Sequence, residues 1–216
     1  AGCSILIHGA HGHTADRPLS AELCEDVGIQ SATSQNHASE LIAQEKIAYL
    51  PCELLHEEFQ NWLMTKHTLG LRSPINTLLR LIAPTGSAGV QSVFHPNYGK
   101  THQAACALMG KEALIMKGEG GEFEVNPERT TQAIFTHRDE NEKIAGIQSH
   151  FDGKHSAPDK QALIDCWKHE SDDYGYHATL RTTAVVLMLK DKTLDFEQAL
   201  KKATELWNKR DTLAFG

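Results

Sequence analysis

Short apolar runs that alternate with helical patterns constrain this chain more than any other feature. Residues 4–7, 47–50 and 113–116 are short apolar stretches suited to buried strands, and 90–94 reads as a further strand. Between them lie amphipathic patterns over 53–69 and 97–109, closed by Gly70 and Gly110. A further helix is expected from Pro18 to Gly28 and a short one over 38–46. Another is expected over 74–82, with Ser73 as its N-cap and Pro84 as its stop. Later strands at 131–136 and 144–147 flank a polar turn, and residues 150–158 read as polar loop. Helices near 159–169, 176–190 and 194–209 finish the chain. The alternation implies an α/β fold, a mostly parallel sheet flanked by helices on both faces.

The longest apolar run, residues 184–189, falls far short of the ~18 residues of a membrane span. No charged N-terminal region precedes an apolar one, so the expected setting is cytoplasmic, with no membrane partner. Cys3, Cys24, Cys52, Cys106 and Cys166 form no C-x-x-C pair and read as reduced thiols. The net charge of −7 excludes a chain-wide nucleic-acid surface, so any basic groove must be local.

Five spaced segments resemble one family in the same order. Strand-end His8-Gly9 is similar to a Lys-His-Gly-Asn-Arg loop. His56 stands where the family has the His of a His-Pro-Ala motif. Residues 69–76, LGLRSPIN, resemble a Leu-Gly-Ile-Arg-Thr-x-Phe-Asn signature that holds Arg72 and Asn76. Residues 93–96, VFHP, resemble a Val-Tyr-His-Pro strand end. Residues 116–130, MKGEGGEFEVNPERT, are similar to a loop reading HGEDGLDEVSP. The family is that of the anthranilate phosphoribosyltransferases, and the resemblance runs to about residue 135. It implies the nucleoside phosphorylase/phosphoribosyltransferase type of catalytic domain. It also implies an N-terminal helical domain and a glycine-rich diphosphate loop, both largely missing here, so the chain is expected to be the C-terminal piece of a longer protein. Residues 1–50 and 85–216 would then form the α/β domain, and 51–84 a helical excursion belonging to the absent one.

The departures matter as much as the matches. The family holds magnesium through an adjacent Asp-Glu pair, which here reads Phe123-Glu124, and Phe offers no oxygen to a hard cation. An Arg that holds the family's aromatic acid is Lys66, a point charge in place of a bidentate fork. The Asn after His-Gly is Ala10, and the phosphate loop carries Asp16. No catalytic residue and no metal ligand is therefore assigned, and no cofactor is expected. His8, Gly9, His56, Lys66, Arg72, Asn76 and Glu124 remain as remnants of a substrate cleft. Such departures resemble a divergent branch of bacterial proteins, some of them single-stranded nucleic-acid binders.

Other readings are blander. His8, His11 and His13 could ligate a transition metal, but a cleft-lining loop is favoured. The run Gly118-Glu119-Gly120-Gly121 could cradle phosphate through its N–H groups, yet its acid favours a tight turn that only glycines permit. Trp62, Trp167 and Trp207 sit among apolar neighbours at helical spacing, so burial is favoured over stacking on bases. Lys66, Arg72 and Arg80, with His67, are either a solvated helix face or a strip of phosphate contacts. Two functions follow as expectations. One is a non-catalytic protein that binds single-stranded nucleic acid as a homodimer. The other is an active glycosyl or phosphoribosyl transferase with an altered acceptor, which would need magnesium.

Overall fold

The computed structural model describes residues 2–10, 20–118, 122–138, 141–147, 160–169 and 173–214. His11, His13, Asp16, Glu119, Gly120, Gly121 and the expected loop 150–158 lie outside the described residues. The chain divides into two compact units. One is built from Gly2–Leu79, His155–Ser171 and Thr212–Gly216, the other from Arg80–Lys154 and Asp172–Asp211.

In the first unit, β1 (Ile5–Gly9) and β2 (Ile47–Pro51) pair in parallel, with Ile5 opposite Ile47 and Gly9 opposite Pro51. A parallel pair needs a crossover, which α1 (Ser20–Asp26) and α2 (Gln35–Glu45) provide. Successive side chains of β2 point to opposite faces. Ala48 and Leu50 join Ala32, Ala38 and Leu41 in one cluster, while Tyr49 joins Ala21 and Cys24 in another. The Ser34 hydroxyl accepts the His37 N–H and starts α2, and Lys46 ends it in the left-handed region at φ 67°.

The pattern over 53–69 is interrupted. A short 3-10 turn (Cys52–Leu54) precedes α3 (Glu58–Met64) and α4 (Lys66–Leu69), and Gly70 stops the run at φ 69°. The break falls where His56 turns back, its Nδ1 accepting the Glu58 N–H at 3.2 Å. Then α5 (Ile75–Leu78) starts with the Ser73 hydroxyl accepting the Ile75 N–H, and α7 (Lys160–Lys168) belongs to the same unit.

In the second unit, β3 (Gly89–Val93), β4 (Ala113–Lys117), β5 (Thr131–Phe135) and β6 (Glu142–Ile144) form a sheet in that order. α6 (Tyr98–Leu108) joins β3 to β4, and these two are parallel, whereas β5 and β6 run antiparallel to their neighbours. The fold class is α/β, and the parallel strands are those with a helix between them. β6 stops at Ile144, short of the expected 147, because Gly146 presses on another segment. A Cβ there would lie 2.8 Å from the Glu128 carbonyl.

The centre of this unit is β4, where Ala113, Leu114 and Ile115 are 0 % exposed and Met116 1 %. Burial of each large apolar side chain is worth about 1.5–3 kcal/mol. Cys106 of α6 joins Val93, Ala113, Ile115 and Ile134 in one cluster. α8 (Asp173–Lys190) packs on β4, and α9 (Phe196–Asn208) packs on α8 from a capping box of Asp195 and Gln198. Trp207 is buried as expected, under the Arg210 guanidinium at 3.8 Å. Trp62 is not, being 40 % exposed, and Trp167 is only half-buried. The helical spacing that suggested burial for Trp62 places Leu63 inward instead. None of the five cysteines is in a disulfide, and four of them are buried. No helix among the described residues is long and apolar enough to cross a membrane.

A buried polar chain runs through β3 and α6. Gln91 Nε2 donates to Cys106 Sγ at 3.2 Å, and Gln91 Oε1 lies 2.9 Å from His102 Nδ1. An amide oxygen only accepts, so His102 must carry its proton on Nδ1. Burial, with the Arg80 charge adding to it, holds the His102 pKa below that of an ordinary imidazole.

Two outcomes are expected. A Cβ at Gly118 would lie 1.8 Å from the Glu122 carbonyl oxygen. Gly118→Ala should therefore lower stability to urea by on the order of 2 kcal/mol. A stability equal to wild type would contradict the close approach of Gly118 to Glu122. His102 binds its second proton less readily folded than unfolded. Stability should be fully present above about pH 6.5, the unfolded value, and fall as pH drops through the lower folded value. In urea titrations from pH 7.5 to 5, His102→Gln should show a shallower fall than wild type.

Candidate functional site

The cleft remnants fall into both units. In the first, His8 and Gly9 end β1, and His8 is half-buried. Gly9 lies against Tyr49, whose hydroxyl oxygen would be 3.1 Å from any Cβ added there. A side chain there would press on that hydroxyl, so glycine suits the packing at this point. Tyr49 itself is deeply buried, which raises its pKa well above the ordinary phenol value.

His56 is exposed and lies on Trp62, with ring centroids 5.5 Å apart and planes at 23°. Phe59 closes the cluster, 5.2 Å from His56 and 5.8 Å from Trp62. Three rings are brought together because Phe59 and Trp62 are three apart on α3 and His56 folds back onto them. Lys66 begins α4 four residues past Trp62, after Thr65 has closed α3. Arg72 is exposed in the turn after Gly70. The Asn76 amide donates to the Ser73 carbonyl at 3.1 Å and so fastens its own turn.

In the second unit, Arg80 is not a solvated helix residue. Its Nη1 donates to the Ser92 carbonyl and to the Ser92 hydroxyl, fixing the segment that enters β3. Glu124 is half-buried, and its Oε1 accepts the Tyr174 hydroxyl at 2.6 Å. The next residue is held as well, since the Val125 N–H donates to Thr182 Oγ1 at 2.9 Å. Tyr174 and Thr182 both lie on α8, so this helix sets the position of the loop that leaves β4. Neither partner was visible in the sequence, because α8 lies some fifty residues further on and no local pattern links the two.

The family's magnesium site can be tested on these residues. Phe123 supplies no ligand, Glu122 is exposed, and one oxygen of Glu124 is engaged by Tyr174. Among the described residues there is no group of three His, Cys, Asp or Glu placed to hold a metal ion. This donor set does not fit a cation that asks for several oxygens.

Comparison with known proteins gives this arrangement a context. A family model described as "Glycosyl transferase family, a/b domain" matches residues 1–211. The anthranilate phosphoribosyltransferase of Metallosphaera sedula is 30% identical over 134 residues, which are 59% of this chain and 38% of that protein. The uncharacterized protein YbiB of Escherichia coli is 25% identical over 134 residues, 61% of this chain and 42% of that protein. The chain therefore spans less than half the length of these curated relatives. Among solved structures, the anthranilate phosphoribosyltransferase from Thermus thermophilus superposes with a TM-score of 0.77 at 19% identity, over 95% of this chain and 64% of that one. At that identity the likeness shows the fold, while the family model covers nearly the whole sequence. On these grounds the chain belongs to the glycosyl transferase family, a/b domain, and it is similar to anthranilate phosphoribosyltransferases.

Proposed function

We propose that this chain is a non-catalytic member of the family that binds single-stranded nucleic acid. The observation that carries the reading is Trp62, exposed and stacked on His56, four residues before Lys66. Single strands are bound without sequence preference by aromatic faces that stack on bases and by cations that track the phosphates. Trp62 with His56 supplies the first, and Lys66 with Arg72 the second. Arg80 is engaged at Ser92, so it contributes less to phosphate contact than its sequence position suggests.

The non-catalytic half of the reading is supported by the Phe123-Glu124 pair. Without an oxygen donor at 123, and with Glu124 accepting from Tyr174, the residues favour no magnesium-bound diphosphate. A homodimer is part of the reading, because Leu69, Leu71 and Leu78 expose apolar surface that a second copy would cover.

A salt titration with labelled single-stranded DNA tests it. Binding should be indifferent to sequence and weaken steeply with salt, and Lys66→Ala/Arg72→Ala should flatten the log–log slope by about 1.4, two contacts at ~0.7 each. Absence of binding at low salt, or an unchanged slope in the double variant, would end the nucleic-acid reading. Magnesium-dependent release of pyrophosphate from phosphoribosyl pyrophosphate would end the non-catalytic one and favour a transferase with an altered acceptor.

A further inference from the structure

Glu58 and Glu112 bracket a stretch without a single Asp or Glu, in a chain that has 28 of them. The stretch, residues 59–111, carries Lys66, Arg72, Arg80, Lys100 and Lys111, a formal +5 within a chain of −7. Every Trp, Phe and Tyr that is exposed among the described residues also falls inside it: Trp62, Phe94 and Tyr98. Two independent properties, absence of acid and exposure of aromatic rings, thus coincide on one part of the sequence. Packing explains neither, since a core would bury the rings and a solvated face would mix the charges.

Phe94 and Tyr98 belong to the second unit, apart from the Trp62 cluster of the first. Phe94 follows directly on β3, and Tyr98 opens α6. They are 54 % and 55 % exposed. The exposed His95 makes an edge contact with each, at 4.8 Å to Phe94 and 5.9 Å to Tyr98. The spacing of the two rings is fixed by a turn in which the Tyr98 N–H donates to the His95 carbonyl at 3.0 Å. The start of α6 lies close on the sheet, where a Cβ at Gly99 would stand 2.6 Å from Ile134 Cδ1. Lys100 is exposed two residues beyond Tyr98. In an open α/β sheet, ligands gather beyond the carboxyl ends of the parallel strands, which is where Phe94 stands.

We propose that Phe94, His95 and Tyr98 form a second base-stacking platform for single-stranded nucleic acid, with Lys100 contacting phosphate. The proposal rests on the reading that the chain binds single strands, and extends it to residues of the other unit. The ligand follows from the chemistry. Flat rings accept any base, Lys100 offers a cation to a phosphate, and none of these four side chains is a bidentate fork that would read one base over another.

The experiment compares a labelled oligothymidine strand with an abasic strand of equal length, both against the full chain. Phe94→Ala/Tyr98→Ala should lose at least about fivefold in affinity for the thymidine strand. It should lose little for the abasic strand, and its salt slope should match wild type, because the phosphate contacts remain. Phe94→Tyr/Tyr98→Phe, which keeps both rings, should bind as wild type does. If the alanine pair binds oligothymidine like wild type while Lys66→Ala/Arg72→Ala is weakened, the second platform is wrong and the first reading stands. If wild type binds neither strand, both fall. An equal loss on both strands, together with a lowered Tm, would assign the rings a structural role and overturn the proposal.

Discussion

The fold of the second unit depends on one constraint, the complete burial of β4. Ala113 to Met116 leave almost no surface to water, so both faces must be covered and every backbone group paired. β3 pairs on one side through the α6 crossover and β5 on the other by an antiparallel return. Once β4 is fixed, its carboxyl end determines where the loop holding Phe123 and Glu124 begins. Gly118 makes that departure possible by lying against the Glu122 carbonyl, and α8 then captures the loop through Tyr174 and Thr182.

The elements built from contiguous residues were legible in the sequence. Short strand-like segments marked β1 to β5 within a residue or two, and Gly70 ended its helical run in the left-handed conformation that favours glycine. The family was legible as well, because its motifs are local strings. What escaped were interactions between distant segments. The anchoring of Arg80 at Ser92 pairs a helical turn with a strand that follows a loop, and the Glu124–Tyr174 bond spans two elements. Trp62 departs from its expected burial for a related reason. Helical periodicity marks an apolar face but not where it ends, and Trp62 stands at the margin of the face that buries Leu63.

Residues that read as a damaged active site take on another meaning when charge is considered together with exposure. Substitutions that remove oxygen donors at residue 123 also remove negative charge, and the long stretch without acid continues that trend over residues 59–111. On the proposed reading, the same scaffold would serve a chain of phosphates in place of a small diphosphate. The two demand different things of the protein, one a rigid metal cage and the other a spaced set of cations and flat rings.

Photocrosslinking tests this account most directly. A single-stranded oligonucleotide carrying 5-iodouracil, which couples preferentially to aromatic side chains in contact with the base, would be irradiated with the full chain and the adducts mapped by mass spectrometry. The account predicts adducts on peptides that contain His56 and Trp62 and on those that contain Phe94 and Tyr98. Adducts confined to segments outside 56–100, or none at low salt, would contradict it.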